Sequence, residues 1–390
     1  MILSIPIAWL QLIHKRVRFL ATLAGLAFIV ILLFMQLGFQ DALYASATQV
    51  HNSLRGDLFV ISPQYISLTS QQSFPRARLY QALGYEGVDS VTPLYHEFGK
   101  TKSIDTGQKN PIFVFGIGLD SVTFDLPEIN QNLDKLRIPD QALFDRNSRP
   151  EFGPVAEKSE QEEVEIEVSY FNDLTLASRL KIGGLFTLGA SFGVDGNLIV
   201  SQSTFLNIFD YRKADFIDIG LIKLKPGADI KKVQAILEAH LPKDVKILTR
   251  HEFSEVEKSY WNIRTPIGFA FQLMVTMGFV IGVVVVYQVL YSNISSHLVE
   301  YATLKAMGHT QNYLLRVVFQ QAVILAVLGY IPGFALSLGL YDLAETGTHL
   351  PFFMHLHQAL VVLFSTIFMC SISGFLAMNK LRSVDPADIF

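Results

Sequence analysis

The chain has 390 residues, 50% of them apolar and 17% charged, with 31 Lys and Arg against 35 Asp and Glu, and its mean hydropathy is +0.34. That composition excludes a disordered protein and argues against an ordinary soluble enzyme. A net charge of −4 leaves no basic footprint for nucleic acid, and a single cysteine, Cys370, excludes an intrachain disulfide framework.

Residues 1–18 predict a short amphipathic helix on the cytoplasmic membrane face. Ile5, Trp9, Leu12 and Ile13 recur at helical spacing, while Ser4, Gln11, His14 and Lys15 are polar. The same residues also read as an early turn of the helix that follows. No Asp, Glu, Lys or Arg occurs in 19–40, 265–299, 317–341 or 346–379. At 1.5 Å rise per residue, about 20 apolar residues cross the hydrocarbon core, so the expected spans are 19–40, 266–291, 315–342 and 357–379. Ala45-Ser46-Ala47 imitates a signal-peptidase site, but the apolar run before it is too long for a signal core of about 7 to 15 residues.

Between the first two spans, residues 41–264 hold 24 of the 31 basic and 30 of the 35 acidic residues, which calls for a water-soluble insert. Strand patterns occur at 57–62, 112–117, 164–169, 185–188, 197–200 and 216–224, and helical patterns at 76–83 and 229–241. Pro226-Gly227 marks the turn before the second helix. The expected insert is a mixed α/β domain, its membrane-proximal lobe about 41–118 and 216–264 and its distal lobe about 119–215. The acidic run 157–167 reads as a solvated loop entering a strand.

Orientation follows from the basic residues near the span ends. Lys15, Arg16 and Arg18, then Lys305 and Arg316, then Lys380 and Arg382 lie on one side, and 343–356 has none. The positive-inside rule makes both termini, the 292–314 connection and the 380–390 tail cytoplasmic, with the insert and the short 343–356 loop periplasmic. Within 292–314, Leu298, Tyr301, Ala302 and Leu304 form an apolar stripe, Ser295 or Ser296 suits a cap, and Gly308 suits C′. This predicts a short amphipathic helix, either resting on the membrane or docking a cytoplasmic partner. Gly278 with Gly282 and Gly329 with Gly333 are spaced for close packing of helices, within the chain or across a dimer, and Pro332 weakens the third span locally. Spans free of ionisable residues argue against a hydrophilic path through the bundle.

Other motifs carry little. Gly189-Ala190-Ser191-Phe192-Gly193 fits a nucleophile elbow, but Val194-Asp195-Gly196 continues as a turn, so a hairpin is expected. Gly99-Lys100-Thr101 lacks the earlier glycine of a phosphate loop, with Leu94 in its place. His96-Glu97 and His251-Glu252 lack a second histidine four residues on and read as surface residues. His349, His355 and His357 suit a membrane interface better than a metal.

The layout resembles the FtsX/MacB-like permease superfamily of ABC exporters, and within it the DevC type associated with heterocyst glycolipid. The resemblance is carried by Ile7-Ala8-Trp9-Leu10-Gln11-Leu12, Phe34-Met35-Gln36-Leu37-Gly38-Phe39, Ser53-Leu54-Arg55-Gly56-Asp57 and Thr265-Pro266-Ile267-Gly268-Phe269. More specific are Glu300-Tyr301-Ala302-Thr303-Leu304-Lys305-Ala306-Met307-Gly308 and Asp385-Pro386-Ala387 with Phe390. It implies an inner-membrane homodimer with no cofactor of its own. ATP and Mg would be held by a DevA-like ATPase docked at Glu300, Leu304, Lys305 and Gly308. The insert would meet a DevB-like periplasmic adaptor leading to a TolC-like outer-membrane duct. It also implies a lipid-like or amphiphilic substrate, such as a glycolipid, expelled by mechanotransmission. Other members of this layout instead relay motion to a cell-wall hydrolase or release lipoproteins.

Overall fold

The computed structural model describes residues 5–13, 16–70, 72–170 and 177–381. Lys15, Arg382, Asp385-Pro386-Ala387 and Phe390 lie outside them. Two compact units result, one formed by residues 43–266 with 348–351 and the other by the rest of the chain.

The helical unit is built on α1 (Ile5–Ile13), α2 (Arg16–Ser53), α9 (Pro266–Ser296), α10 (Leu298–Ala306), α11 (Gln311–Thr348) and α12 (Leu356–Leu381), the intervening numbers belonging to the insert. The helices α2, α9, α11 and α12 are each long and apolar enough to cross a membrane. All four outrun the expected spans. No proline or glycine stops α2 between Gly38 and Ser53, and α11 passes through Pro332. Consequently only residues 349–355 separate α11 from α12. Ser295 and Ser296, expected as caps, are the last residues of α9 instead, and the cap of α10 falls on His297.

The four glycines expected at helix contacts all face other helices of the same chain. A Cβ on Gly329 would sit 2.6 Å from Leu26 Cβ, and one on Gly333 would sit 2.7 Å from Val30 Cβ. Gly278 faces Leu33 and Gln36, and Gly282 faces Ile29 and Met369. The absent side chains let α9 and α11 approach α2. Two polar contacts fasten the same helix: Tyr341 Oη donates to the Phe34 carbonyl at 2.6 Å beside Gly38, and Gln358 Nε2 donates to Asp41 Oδ2 at 2.6 Å.

Among the described residues the insert holds eleven strands: β1 (Leu58–Ile61), β2 (Phe74–Pro75), β3 (Val88–Lys102), β4 (Lys109–Ile117), β5 (Gln141–Asp145), β6 (Glu165–Tyr170), β7 (Ala177–Phe186), β8 (Gly196–Ser201), β9 (Phe216–Ile217), β10 (Ile219–Leu224) and β11 (Lys246–Thr249). Nine form one sheet in the order β11-β1-β10-β3-β4-β8-β5-β7-β6. The far half of β3 pairs again with β6, Lys100 opposite Ser169, so β3-β4-β8-β5-β7-β6 close into a ring of six strands. The segments 41–118 with 216–264 and 119–215, expected as two lobes, share this sheet: the first gives β1, β3, β4, β10 and β11, the second β5 to β8. Alternate residues feed two cores. Ile112 and Val114 enter one with Leu198 and Val200, while Phe113, Phe115 and Ile117 enter the other with Ile199. Strands buried on both faces read as continuous apolar runs, which is why β4 and β8 are visible in the sequence.

The glycine contacts give a direct test. Gly329→Leu must push α11 from α2 and should cost about 1–3 kcal/mol in a thermal melt of the detergent-solubilised chain, whereas Gly339→Leu, where nothing lies within 4 Å, should leave the melt unchanged or slightly raised.

Candidate functional site

The helix α10 has an inner and an outer face. Tyr301 is buried, Leu298 and Leu304 are half-buried, and Val299, Glu300, Thr303, Lys305, Met307 and Gly308 are exposed. Its end is a full Schellman motif: the Gly308 N–H donates to the Lys305 carbonyl and the His309 N–H to the Leu304 carbonyl, both at 3.1 Å. Gly308 has φ of 90°, the left-handed region in which glycine alone is unstrained.

A buried polar junction holds the inner face. Gln11 Oε1 accepts from Tyr301 Oη at 3.1 Å and from Gln321 Nε2 at 2.7 Å, and Gln11 Nε2 donates to Glu300 Oε2 at 3.0 Å. His297 Nδ1 lies 2.9 Å from Glu300 Oε1. Thus α1, α10 and α11 meet through Gln11, Tyr301 and Gln321, and burial pushes the Tyr301 hydroxyl up to about 12. Gln11 was expected on a polar, outward face; here it is buried with Ala8 and Leu12, while Trp9 and Leu10 are exposed. The structure therefore puts the four expected coupling residues in different roles. Glu300 is tied into the junction, Leu304 is half-buried, and Lys305 and Gly308 stand in the open. Sequence reasoning missed the junction, because a tyrosine in an apolar stripe and a glutamine in a polar one look unrelated. Replacing Gln11 by Leu removes a hydrogen-bond partner of both the Tyr301 hydroxyl and the Gln321 amide, and should cost about 1–3 kcal/mol, seen as faster proteolysis within 297–310.

The insert buries charge of its own. Glu97 and Asp218 flank Arg212: its Nη2 is 2.6 Å from Asp218 Oδ2 and its Nη1 is 3.4 Å from Glu97 Oε2, with Tyr211 Oη on the same carboxylate oxygen. His96 and Glu97, read as surface residues, are 2% and 6% exposed because this network requires a buried carboxylate; His251 and Glu252 do lie on the surface. Gly99-Lys100-Thr101 lies near the C-terminal end of strand β3. The Gly189 to Gly193 turn is not a hairpin: β7 and β8 do not pair but flank β5. Asp145 braces it, accepting from the Leu188 and Gly189 N–H groups and from Asn197 Nδ2. No helix follows Ser191 to expose it as a nucleophile. Among the described residues, no group of three or more His, Cys, Asp or Glu is placed to hold a metal.

A second buried cluster joins His51, Tyr65, Glu257 and Trp261. Glu257 accepts from Trp261 Nε1 at 3.0 Å, the Leu68 N–H at 3.0 Å and Tyr65 Oη at 3.3 Å, and His51 Nε2 lies 3.3 Å from Tyr65 Oη. Burial raises Glu257 to about 7 and lowers His51 to about 3. The signs oppose. Glu257 stabilises the fold below its ordinary value of 4.5, and that contribution fades as pH rises through 7. His51 stabilises it above its ordinary 6.5, and that contribution fades as pH falls towards 3. Between pH 5 and 7 the two work against each other. Glu257→Gln should unmask the histidine, leaving the chain about 2 kcal/mol less stable at pH 5 than at pH 7, read from Trp261 fluorescence on heating; the parent should change little.

Four helices of spanning length, with a short helix capped at its C-terminus between the second and third and an α/β insert after the first, are the architecture of an integral membrane protein. Residues 273–386 match the family described as FtsX-like permease C-terminal, a stretch holding α10, α11, most of α9 and the described part of α12. No curated protein matches. Three solved structures are similar to about half of the chain. They are the periplasmic region of MacB from Actinobacillus actinomycetemcomitans (13% identity, 51% of this chain and 90% of that one, TM-score 0.32), the extracellular domain of the noncanonic ABC-type transporter YknZ from Gram-positive bacteria (12%, 50% and 99%, 0.30), and a domain of a putative permease protein from Porphyromonas gingivalis (13%, 51% and 89%, 0.31).

Proposed function

We propose that this chain is the membrane-spanning, non-catalytic subunit of a tripartite ABC exporter of the DevC type. A separate ATPase, holding ATP and Mg, docks on the outer face of α10. The chain works as a homodimer in the inner membrane, with termini and α10 cytoplasmic and the insert periplasmic. Tilting of the helices shifts the insert, which meets an adaptor leading to a TolC-like duct and expels a lipid-like or amphiphilic substrate, a glycolipid being of the right kind. The substrate does not cross the bundle.

The observation carrying this reading is the construction of α10. A short helix presents Thr303, Lys305 and Met307 outward, ends on a left-handed glycine, and is pinned from behind by Gln11 through Tyr301 and Glu300. A membrane rest would bury its apolar side chains and leave no reason to fix its orientation with hydrogen bonds. The FtsX-like match over 273–386 supports the same reading.

Gly308→Val and Leu304→Ala should each cut copurification of the ATPase with the detergent-extracted chain at least tenfold and abolish export, while insertion and helix content stay normal. The Val change costs roughly 1–3 kcal/mol of local backbone strain. Gly227→Val, equally left-handed at φ of 84° but in the insert, should leave copurification intact. An ATPase that stays bound to both α10 variants would refute the assignment.

A further inference from the structure

The helices α11 and α12 leave a groove along their outer side. Two adjoining cavities, of about 260 Å³ and about 640 Å³, share Phe319 and Ser371. The first also touches Arg316 and Phe375, the second Phe364 and Phe368. All four phenylalanines are exposed, so the floor is aromatic and open. The one charged lining residue, Arg316, is exposed at one end, and among the described residues no carboxylate lies within ion-pair distance of it.

Length and charge select the occupant. Phe364 and Phe375 lie on one helix eleven positions apart, hence about 16 Å at 1.5 Å per residue. One leaflet of a hydrocarbon core about 30 Å thick is about 15 Å deep. The groove therefore has the depth of one acyl chain, with a guanidinium where a headgroup phosphate would sit, and Arg is the side chain best suited to bidentate phosphate contact. A second copy of this chain would supply apolar surface, but residues 317–341 and 346–379 contain no carboxylate to meet Arg316. We propose that this groove is a binding site for an anionic phospholipid, its phosphate on Arg316 and one acyl chain laid over Phe319, Phe368 and Phe364. The site is independent of the ATPase-docking reading and needs only that α11 and α12 stand in lipid.

Native mass spectrometry of the full detergent-solubilised chain tests it, with phosphatidylglycerol and phosphatidylcholine of matched chains as probes. Phosphatidylglycerol should be retained about fivefold better, as expected for one cation at a headgroup, and 0.5 M salt should shrink the difference. Arg316→Gln should erase the preference, lowering phosphatidylglycerol retention more than phosphatidylcholine retention, without changing ATPase copurification. Ser371→Phe, which fills the middle of the groove, should lower retention of both lipids. An undiminished preference in Arg316→Gln, unchanged retention in Ser371→Phe, or efficient disulfide dimers of Phe364→Cys in membranes would each overturn the site.

Discussion

A side-chain amide shut away from water must find partners for its oxygen and its nitrogen, since each bond left unmade costs on the order of 1–3 kcal/mol. Gln11 meets that demand with three residues from two helices: Tyr301 and Gln321 donate to its oxygen, and Glu300 receives its N–H. The solution leaves α10 little freedom to rotate or slide, because any such motion breaks two or three bonds together. An apolar seam would have held the helix with similar energy but without fixing its orientation. On the proposed function, that is the difference between a raft and a lever.

The insert applies the same rule to charge. Its central strands β4 and β8 are buried on both faces, and a carboxylate shut inside the insert has only protein to solvate it. Asp218 has Arg212 and the His96 N–H, Asp145 has two backbone donors of the Gly189 turn and Asn197, and Glu257 has Trp261, Tyr65 and the Leu68 N–H. Each cluster ties together pieces distant in sequence: α2 to the helix α8 (Arg250–Ser259) through His51 and Glu257, β3 to the segment before β9 through Glu97 and Arg212. Closure of six strands into a ring needs such ties where the chain leaves and re-enters the sheet.

How much of this was legible follows from the kind of signal each part leaves. Four charge-free blocks gave the helices, because lipid forbids what water permits, and runs such as Ile112-Phe113-Val114-Phe115 gave two-faced strands. The longest strand, β3, was invisible: Pro93, Gly99 and the His96-Glu97 pair all argue against a central strand, and the buried Glu97 finds its ion-pair partner in the distant Arg212. Gly308 was readable because a left-handed helix end demands one residue type, and the structure puts it at φ of 90°. Gln11 was not, since amphipathic spacing assigns a polar residue to the polar side and cannot foresee a buried partner. The caps of α10 failed for a similar reason: serines near a helix start are eligible, but nothing in α9 stops it before His297.

The glycine placement adds a mechanical point. In α9 and α11 the small residues face α2, whose own side chains Leu26, Ile29, Val30 and Leu33 fill the space they vacate. The neighbours carry the flexibility penalty of glycine, while α2 keeps bulky residues at those contacts and runs 38 residues without a proline. Its carbonyl at Phe34 and carboxylate at Asp41 are held by Tyr341 and Gln358, so it is clamped at several heights to α11 and α12. The helix then contributes Val50 to the core of the insert and His51 to its buried cluster. A helix held to its neighbours at several heights keeps its place within the bundle. On the proposed function, that is what is asked of the first helix.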